Sequence, residues 1–263
     1  MKLKLVCLNT WLGGYLFDEI TAFLREQNPD ILLLQEVYNG DPQGERLFKE
    51  KQYNTLSELK ALLGYQYSHF APALIDVIDG REIVQGNAVL SRFPLEEKEV
   101  SFYDVELSVR DPDDQRYELT PRNLQQVIAH IGEQQLHVLN TQGIWGTHGN
   151  DTQRRLDMAD HILKRVADHS PLILGGDFNV NQGTQSIQKI ESKLVNVFQG
   201  QLKTSFNLQR KNLEKDPGFA TAVVDMLFVS PDITVVTASV PQVDISDHLP
   251  LVCEIELSTQ DPL

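Results

Sequence analysis

Two apolar runs in this chain each lead directly into an acidic residue, and this pattern constrains the fold more than any other feature. Ile31-Leu32-Leu33-Leu34 continues into Gln35-Glu36, and Leu172-Ile173-Leu174 continues through Gly175-Gly176 into Asp177-Phe178-Asn179. Consecutive branched apolar residues without polar alternation describe a strand covered on both faces, which requires a layer of structure above and below it. A carboxylate at the end of such a strand stands at the rim of the core, where sheets place their active sites.

The remaining segments can supply those layers. Residues 3–9 form another apolar strand, and Phe17, Ile20, Phe23 and Leu24 recur at helical spacing until Asn28-Pro29 stops the helix before the strand at 31–35. A second helix is predicted over Leu56 to Leu63, ended by Gly64, with strands at 65–70 and 87–91. From 95 to 141 the pattern is mostly extended. Val100 to Val109 alternates loosely, Asp111-Pro112-Asp113-Asp114 reads as a turn, and strands at 124–131 and 136–140 flank a turn at Gly132-Glu133. Asp151 or Thr152 can cap a helix with Leu156, Ala159, Leu163 and Val166 on one face, and Ser170-Pro171 opens the strand at 172–175. A short helix at 184–192 and strands at 223–229, 233–239 and 250–257 complete the chain. Hairpin turns mixed with helical crossovers argue against a purely parallel sheet and for two packed mixed sheets with helices outside. No linker or repeat interrupts the pattern, so residues 1–257 are expected to form one domain, followed by a short tail at 258–263.

Composition narrows the function classes. With 41% hydrophobic and 23% charged residues the chain can close a sizeable core, which rules out disorder. No apolar run approaches the ~18 residues of a membrane span, and Met1 to Leu8 meets polar Asn9 and Thr10 too early for an export signal. Cys7 and Cys253 both lie in apolar strands, as expected of buried free thiols in a reducing cytoplasm. The formal net charge of −14 repels polyanions at long range, which disfavours nonspecific duplex binding but not an enzyme that holds phosphate through a cation.

Glu36 and the Asp177/Asn179 pair suit a hard, oxygen-seeking cation such as magnesium, and no histidine-rich zinc cage is visible. Ser246-Asp247-His248 places an imidazole beside a carboxylate just before the last strand. Taken singly, each has an ordinary explanation as a surface charge, a turn pair or a capped loop.

Together and in order, Gln35-Glu36, Gly176-Asp177-Phe178-Asn179 and Ser246-Asp247-His248 resemble the signature of the endonuclease/exonuclease/phosphatase superfamily, the deoxyribonuclease-like fold, and most of all its uncharacterised bacterial members. Leu8-Asn9-Thr10-Trp11, Gly86-Asn87-Ala88-Val89-Leu90-Ser91-Arg92 and Val224-Asp225-Met226-Leu227-Phe228-Val229-Ser230 are similar to further blocks of the family, so the resemblance spans nearly the whole chain. It implies an α/β fold, a four-layer α-β-β-α sandwich of two mixed sheets with helices outside. It also implies a magnesium-dependent phosphoester hydrolase, with manganese as a substitute ion, using metal-oriented water and inline attack on phosphorus; a monomer is expected because nothing in the sequence suggests otherwise. By the same resemblance Glu36, Asn9 and Asp247 hold the metal, Asp177 and Asn179 surround the attacking water, and His248, oriented by Asp225, faces the phosphoryl group. Arg122, Gln142 and Asn87 fall on the substrate side.

Gln142, in Leu139-Asn140-Thr141-Gln142-Gly143, departs from the many members that carry histidine there, including the pancreatic deoxyribonuclease type. An amide can bond a phosphate but cannot carry a proton to a leaving group. Three consequences stay open: a substrate with a good leaving group, another donor such as His148, or reduced turnover. The fold alone does not choose among nucleic acid, nucleotide, sugar phosphate and phospholipid head group, although the acidic balance favours a small or single-stranded phosphoester. A noncatalytic phosphate-binding relative or scaffold is the rival reading. No obligate protein partner is evident.

Overall fold

The structure, a computed structural model, describes residues 1–40, 47–48, 51–78, 80–110, 116–167 and 169–258. In chain order its elements are β1 (Lys2–Asn9), a kinked turn α1 (Trp11–Gly14), α2 (Phe17–Gln27), β2 (Ile31–Asn39), β3 (Leu47–Phe48), β4 (Lys51–Gln52), α3 (Thr55–Leu63), β5 (Tyr67–Ile78), β6 (Arg81–Ser91), β7 (Leu95–Phe102) and β8 (Ser108–Arg110). The second half adds β9 (Asn123–Ile131), β10 (Gln134–Gln142), α4 (Gln153–Val166), β11 (Leu172–Asp177), α5 (Gln185–Glu191), β12 (Val195–Asn196), β13 (Asp225–Val229), β14 (Ile233–Ser239) and β15 (Leu251–Leu257). One sheet has the order β14-β15-β1-β2-β6-β5-β8 and the other β12-β13-β11-β10-β9-β7, while β3 and β4 form a small separate hairpin. Both large sheets are mixed: β1 runs parallel to β2 and β10 parallel to β11, whereas most other neighbours are antiparallel.

The strand period of two explains the layers. Leu5, Cys7, Ile31 and Leu33 point between the sheets to meet Val127, Val138 and Ile173, while Val6, Leu8, Leu32 and Leu34 point outward against α2 and α3. On β11, Ile173 faces the interior and Leu172 and Leu174 face α4 and α5. Helix, sheet, sheet, helix is therefore the expected four-layer sandwich. The uninterrupted apolar runs reflect cover on both faces, and both cysteines are free and buried. Among the described residues no helix is long and apolar enough to cross a membrane.

Local signals stop the helices where expected. Asn28 and Gly64 take left-handed backbone conformations at the ends of α2 and α3 and bond back to Leu24 and Lys60. Thr152 caps α4 by accepting from the Arg155 N–H, while Asp151 serves the other helix, accepting from the Gln185 and Ser186 N–H groups of α5 at 2.7 and 2.9 Å.

Three expectations change. The buried face of α4 is Arg155, Met158, Ala159, Ile162 and Val166; Leu156 and Leu163 are only half-buried, because Arg155 takes an interior position that periodicity assigned to an apolar side chain. The extended stretch from Val100 to Val109 is broken: β7 ends at Phe102, and β8 pairs with β5 in the other sheet, so the chain crosses between sheets at this point. β5 and β6 are longer than expected: Pro72 and a register shift between Pro72 and Leu74 interrupt β5, and Arg81 and Glu82 make the outer end of β6 polar. The Asp111 to Asp114 turn and all of the tail beyond Ser258 lie outside the described residues.

Toward the strand ends the interior between the sheets turns polar. Asn140 on β10 accepts from Gln35 Nε2 of β2 at 2.6 Å and donates to the Leu34 carbonyl and to Gln125 Oε1, both at 3.0 Å, while Gln125 Nε2 donates to the His69 carbonyl of β5 at 2.9 Å. Replacing Asn140 by leucine strands these buried amides, so Asn140→Leu should lower the unfolding free energy by about 1–3 kcal/mol in a denaturant titration. Burial, aided by Lys98, holds His69 down at about 4. Its neutral form therefore contributes stability that is complete above about pH 6.5 and is lost as pH falls through about 4. Thermal melts of His69→Gln should fall less steeply across that acid range than those of the wild type.

Candidate active site

The carboxylates converge at one end of the two sheets. Glu36 lies in β2, where Leu34 pairs with Ala88 and Val37 with Gly86, so Gln35 and Glu36 together stand opposite Asn87. This bulge, with φ of 57° at Glu36, turns the glutamate out of the strand's alternation and toward the interior end. Glu36 Oε2 accepts from the Leu12 N–H at 2.8 Å, and Oε1 accepts from Gln142 Nε2 at 2.7 Å and Asn9 Nδ2 at 3.2 Å. The Leu12 donor is aimed by a positive φ at both Trp11 and Leu12. Asn9, at the end of β1, also donates from Nδ2 to Asp177 Oδ2 at 3.1 Å, so one amide joins a carboxylate of each sheet.

Asp177 ends β11. Gly176 precedes it with φ of 153°, and an added Cβ there would sit 1.9 Å from the Thr141 carbonyl oxygen, which is why the strand can approach β10 so closely. Asp177 Oδ1 accepts from the Asn179 N–H at 2.9 Å, and Asn179, at φ of 55°, donates from Nδ2 to the Gly143 carbonyl at 3.0 Å. Arg155, 1% exposed, reaches up from α4 to the carbonyls of Ile144, His148, Asn150 and Asn179. This single buried guanidinium ties the loop after β10 to the turn that carries Asn179.

Asp177 and Asp225 are directly paired residues on antiparallel β11 and β13, and like charges in such positions repel. Burial and the charge of Asp225 push Asp177 up to about 6. His248 relieves the pair: its Nδ1 lies 2.7 Å from Asp225 Oδ2. Burial alone would lower the imidazole, but Asp225 and then Asp247 outweigh it and raise His248 to about 10, so the ring is an imidazolium at neutral pH. Its backbone is pinned by the Ser246 hydroxyl at 3.2 Å, and that hydroxyl donates to the Asn9 carbonyl at 2.7 Å.

The remaining predicted residues fall in different places. Arg122 Nη1 donates to Gln142 Oε1 at 2.9 Å, so Gln142 links Arg122 to Glu36; burial lowers Arg122 against the pull of Glu36 and Asp177. Asn87 is buried and donates to Asn123 Oδ1 at 2.9 Å. Asp247 accepts from Lys211 Nζ at 2.6 Å. His148 has an exposed side chain and gives its carbonyl to Arg155.

The donor set fits a divalent cation. Glu36, Asp177 and Asp225 supply hard oxygens, and ligand atoms of Asp177, Asp225 and His248 lie within 4.8 Å of one another. The raised Asp177 marks an excess of negative charge that a cation offsets. Glu36 is the strongest candidate to hold it, because His248 Nδ1 is committed to Asp225. Asn9 Oδ1 accepts from the Trp11 N–H at 3.0 Å and keeps a second lone pair for a further partner.

Sequence reasoning missed Arg155, Lys211 and the Leu12 N–H. Arg155 left one usable sign, a basic residue within the apolar stripe of an amphipathic helix. Lys211 sits in a polar stretch without periodicity, and a backbone donor leaves no trace in residue type.

Among solved structures the chain is similar to an endonuclease/exonuclease/phosphatase from Beutenbergia cavernae, with a TM-score of 0.73 and 21% identity over 97% of this chain and 72% of that one. It is similar also to one from Bacteroides vulgatus, at 0.72 and 15% identity over 98% and 100%. A mannosyl-6-phosphatase from Bacteroides thetaiotaomicron aligns at 0.69 and 18% identity over 97% and 100%. At these identities the likeness is one of fold. The comparison with curated proteins finds no match. A family model described as Endonuclease/Exonuclease/phosphatase family matches residues 7–248, which include every charged group of the site, and the chain therefore belongs to the endonuclease/exonuclease/phosphatase family.

Proposed function

We propose that this protein is a magnesium-dependent phosphoester hydrolase in which water attacks phosphorus inline, with manganese able to replace magnesium. The observation that carries this reading is the single network joining Glu36, Asn9 and Asp177, with Asp225 and His248 packed against it. Glu36, with Asn9 and Asp247 near it, would hold the divalent cation, which when bound would supply positive charge against that of the phosphate. Asp177 orients the attacking water and takes its proton. Asn179 holds Asp177 in place through its backbone N–H. His248 donates its second ring N–H to the phosphoryl oxygen as charge develops there, and Asp225 fixes the ring.

Gln142 is bonded to both Glu36 and Arg122, which suits it to aligning the carboxylate and the phosphate-facing guanidinium. Since an amide cannot shuttle a proton, the substrate is expected to carry a good leaving group. The acidic surface favours a small or single-stranded phosphoester. The same reading has the protein act as a monomer in the cytoplasm, in keeping with two buried free thiols.

Hydrolysis of bis(p-nitrophenyl) phosphate with magnesium tests this directly. Asp177→Asn and His248→Ala should each lose about 10²–10⁴-fold in rate while circular dichroism stays unchanged. A wild type no faster than these variants would leave only the phosphate-binding reading. Arg155 acts at a distance, through the Asn179 carbonyl and the loop after β10. Arg155→Lys should therefore lower kcat by about tenfold with a smaller change in KM, because misplacement of the groups around the water affects the reaction more than binding.

A further inference from the structure

Lys211 is a basic side chain placed in the site with no role in the reading above. It belongs to the segment between β12 and β13, and its side chain is only 13% exposed, as is nearly true of its partner Asp247 at 14%. The ammonium lies 2.6 Å from Asp247 Oδ2 and 4.5 and 4.9 Å from the centres of the Phe206 and Phe219 rings. The two rings pack edge to face, 4.8 Å apart, and Phe206 also packs on the His248 ring at 4.6 Å. The wall is fixed to the active-site loop by backbone bonds from the Asn207 N–H to the Asp247 carbonyl, 3.0 Å, and from the Leu249 N–H to the Ser205 carbonyl, 2.8 Å.

This is a built cation site already filled from within the chain. Two ring faces and one carboxylate suit an ammonium, which gains from the ring quadrupoles once water is removed. They favour an ammonium over magnesium, which would keep most of its waters and could be held there by Asp247 alone once that carboxylate is unpaired. A second divalent ion would also have to stand against the ammonium. Ser246, adjacent to Asp247, bonds to the Asn9 carbonyl, so the pair belongs to the same cluster as Glu36.

We propose that Lys211 occupies the place of a cation at Asp247, so that the protein binds one divalent ion, on the Glu36 side, and uses the lysine as a fixed charge on the His248 side. The inference rests on the hydrolase reading for the identity of the ion, and its test uses binding in place of turnover. Manganese bound per chain would be measured by electron paramagnetic resonance titration, with folding checked by circular dichroism. The wild type should bind one ion. Glu36→Gln should weaken binding by about 10–100-fold, whereas Asp247→Asn should leave the affinity within about twofold. Lys211→Met, which keeps the stem against the rings and removes the charge, should admit a second ion at the freed Asp247, and Lys211→Arg should not.

Two ions in the wild type, a tenfold loss in Asp247→Asn, or a folded Lys211→Met that still binds one ion would each overturn the proposal while leaving the hydrolase reading standing. If Lys211→Met does not fold, the wild-type stoichiometry and the Asp247→Asn affinity decide the matter. No bound manganese in the wild type would overturn the metal reading and this inference together.

Discussion

Buried amides hold the two sheets together at the end where Glu36, Asp177, Asp225 and His248 gather. Lower in the sandwich, contact between the sheets is apolar and nondirectional, made by side chains such as Leu33, Val138 and Ile173. At the level of Gln35, Asn140 and Gln125 it becomes directional, because each amide must find partners once removed from water. An amide contact fixes distance and angle in a way that a leucine contact does not. Asn9, one level nearer the surface, repeats the device with charged partners and sets Glu36 against Asp177 across the gap. The carboxylates hold their relative position because the layer below them cannot slide.

That layer supports an arrangement that is costly by itself. Asp177 and Asp225 face one another on neighbouring strands, and Glu36 and Asn179 hold left-handed backbone conformations that non-glycine residues seldom adopt. The charge is balanced from inside the chain by His248 on Asp225, Lys211 on Asp247 and Arg122 through Gln142. Each cation is held by packing as well as by charge. The positions of the charged groups in the cluster are thus fixed by contacts within the chain itself. Arg155 extends the same principle to backbone: four carbonyls that would otherwise require water are gathered on one guanidinium.

Much of this was legible in the residues. The strands at 31–35 and 172–175 could be read because cover on both faces leaves an unbroken apolar run, and their acidic ends pointed to the site. Helix ends at Asn28 and Gly64 could be read because left-handed termination leaves a mark in residue type. The full lengths of β5 and β6 could not, since a proline and a register shift interrupt the first and exposed Arg81 and Glu82 begin the second. The rotated face of α4 left only the sign of Arg155 standing in line with Met158, Ala159 and Ile162. The ordered motifs named the family and most of the cluster, but not the partners of its members.

The residues alone carried the layered α/β architecture and the set of carboxylate, amide and imidazole groups at the ends of its strands, because periodicity and residue chemistry are local properties. The tertiary structure alone decided which groups touch. The bulge aims Glu36 at Gln142 and Leu12, register sets Asp177 beside Asp225, and a turn of chain 36 residues away gives Asp247 a lysine under two aromatic rings. Those contacts follow from register and from the packing of distant segments, and an isolated stretch of residues carries no record of either.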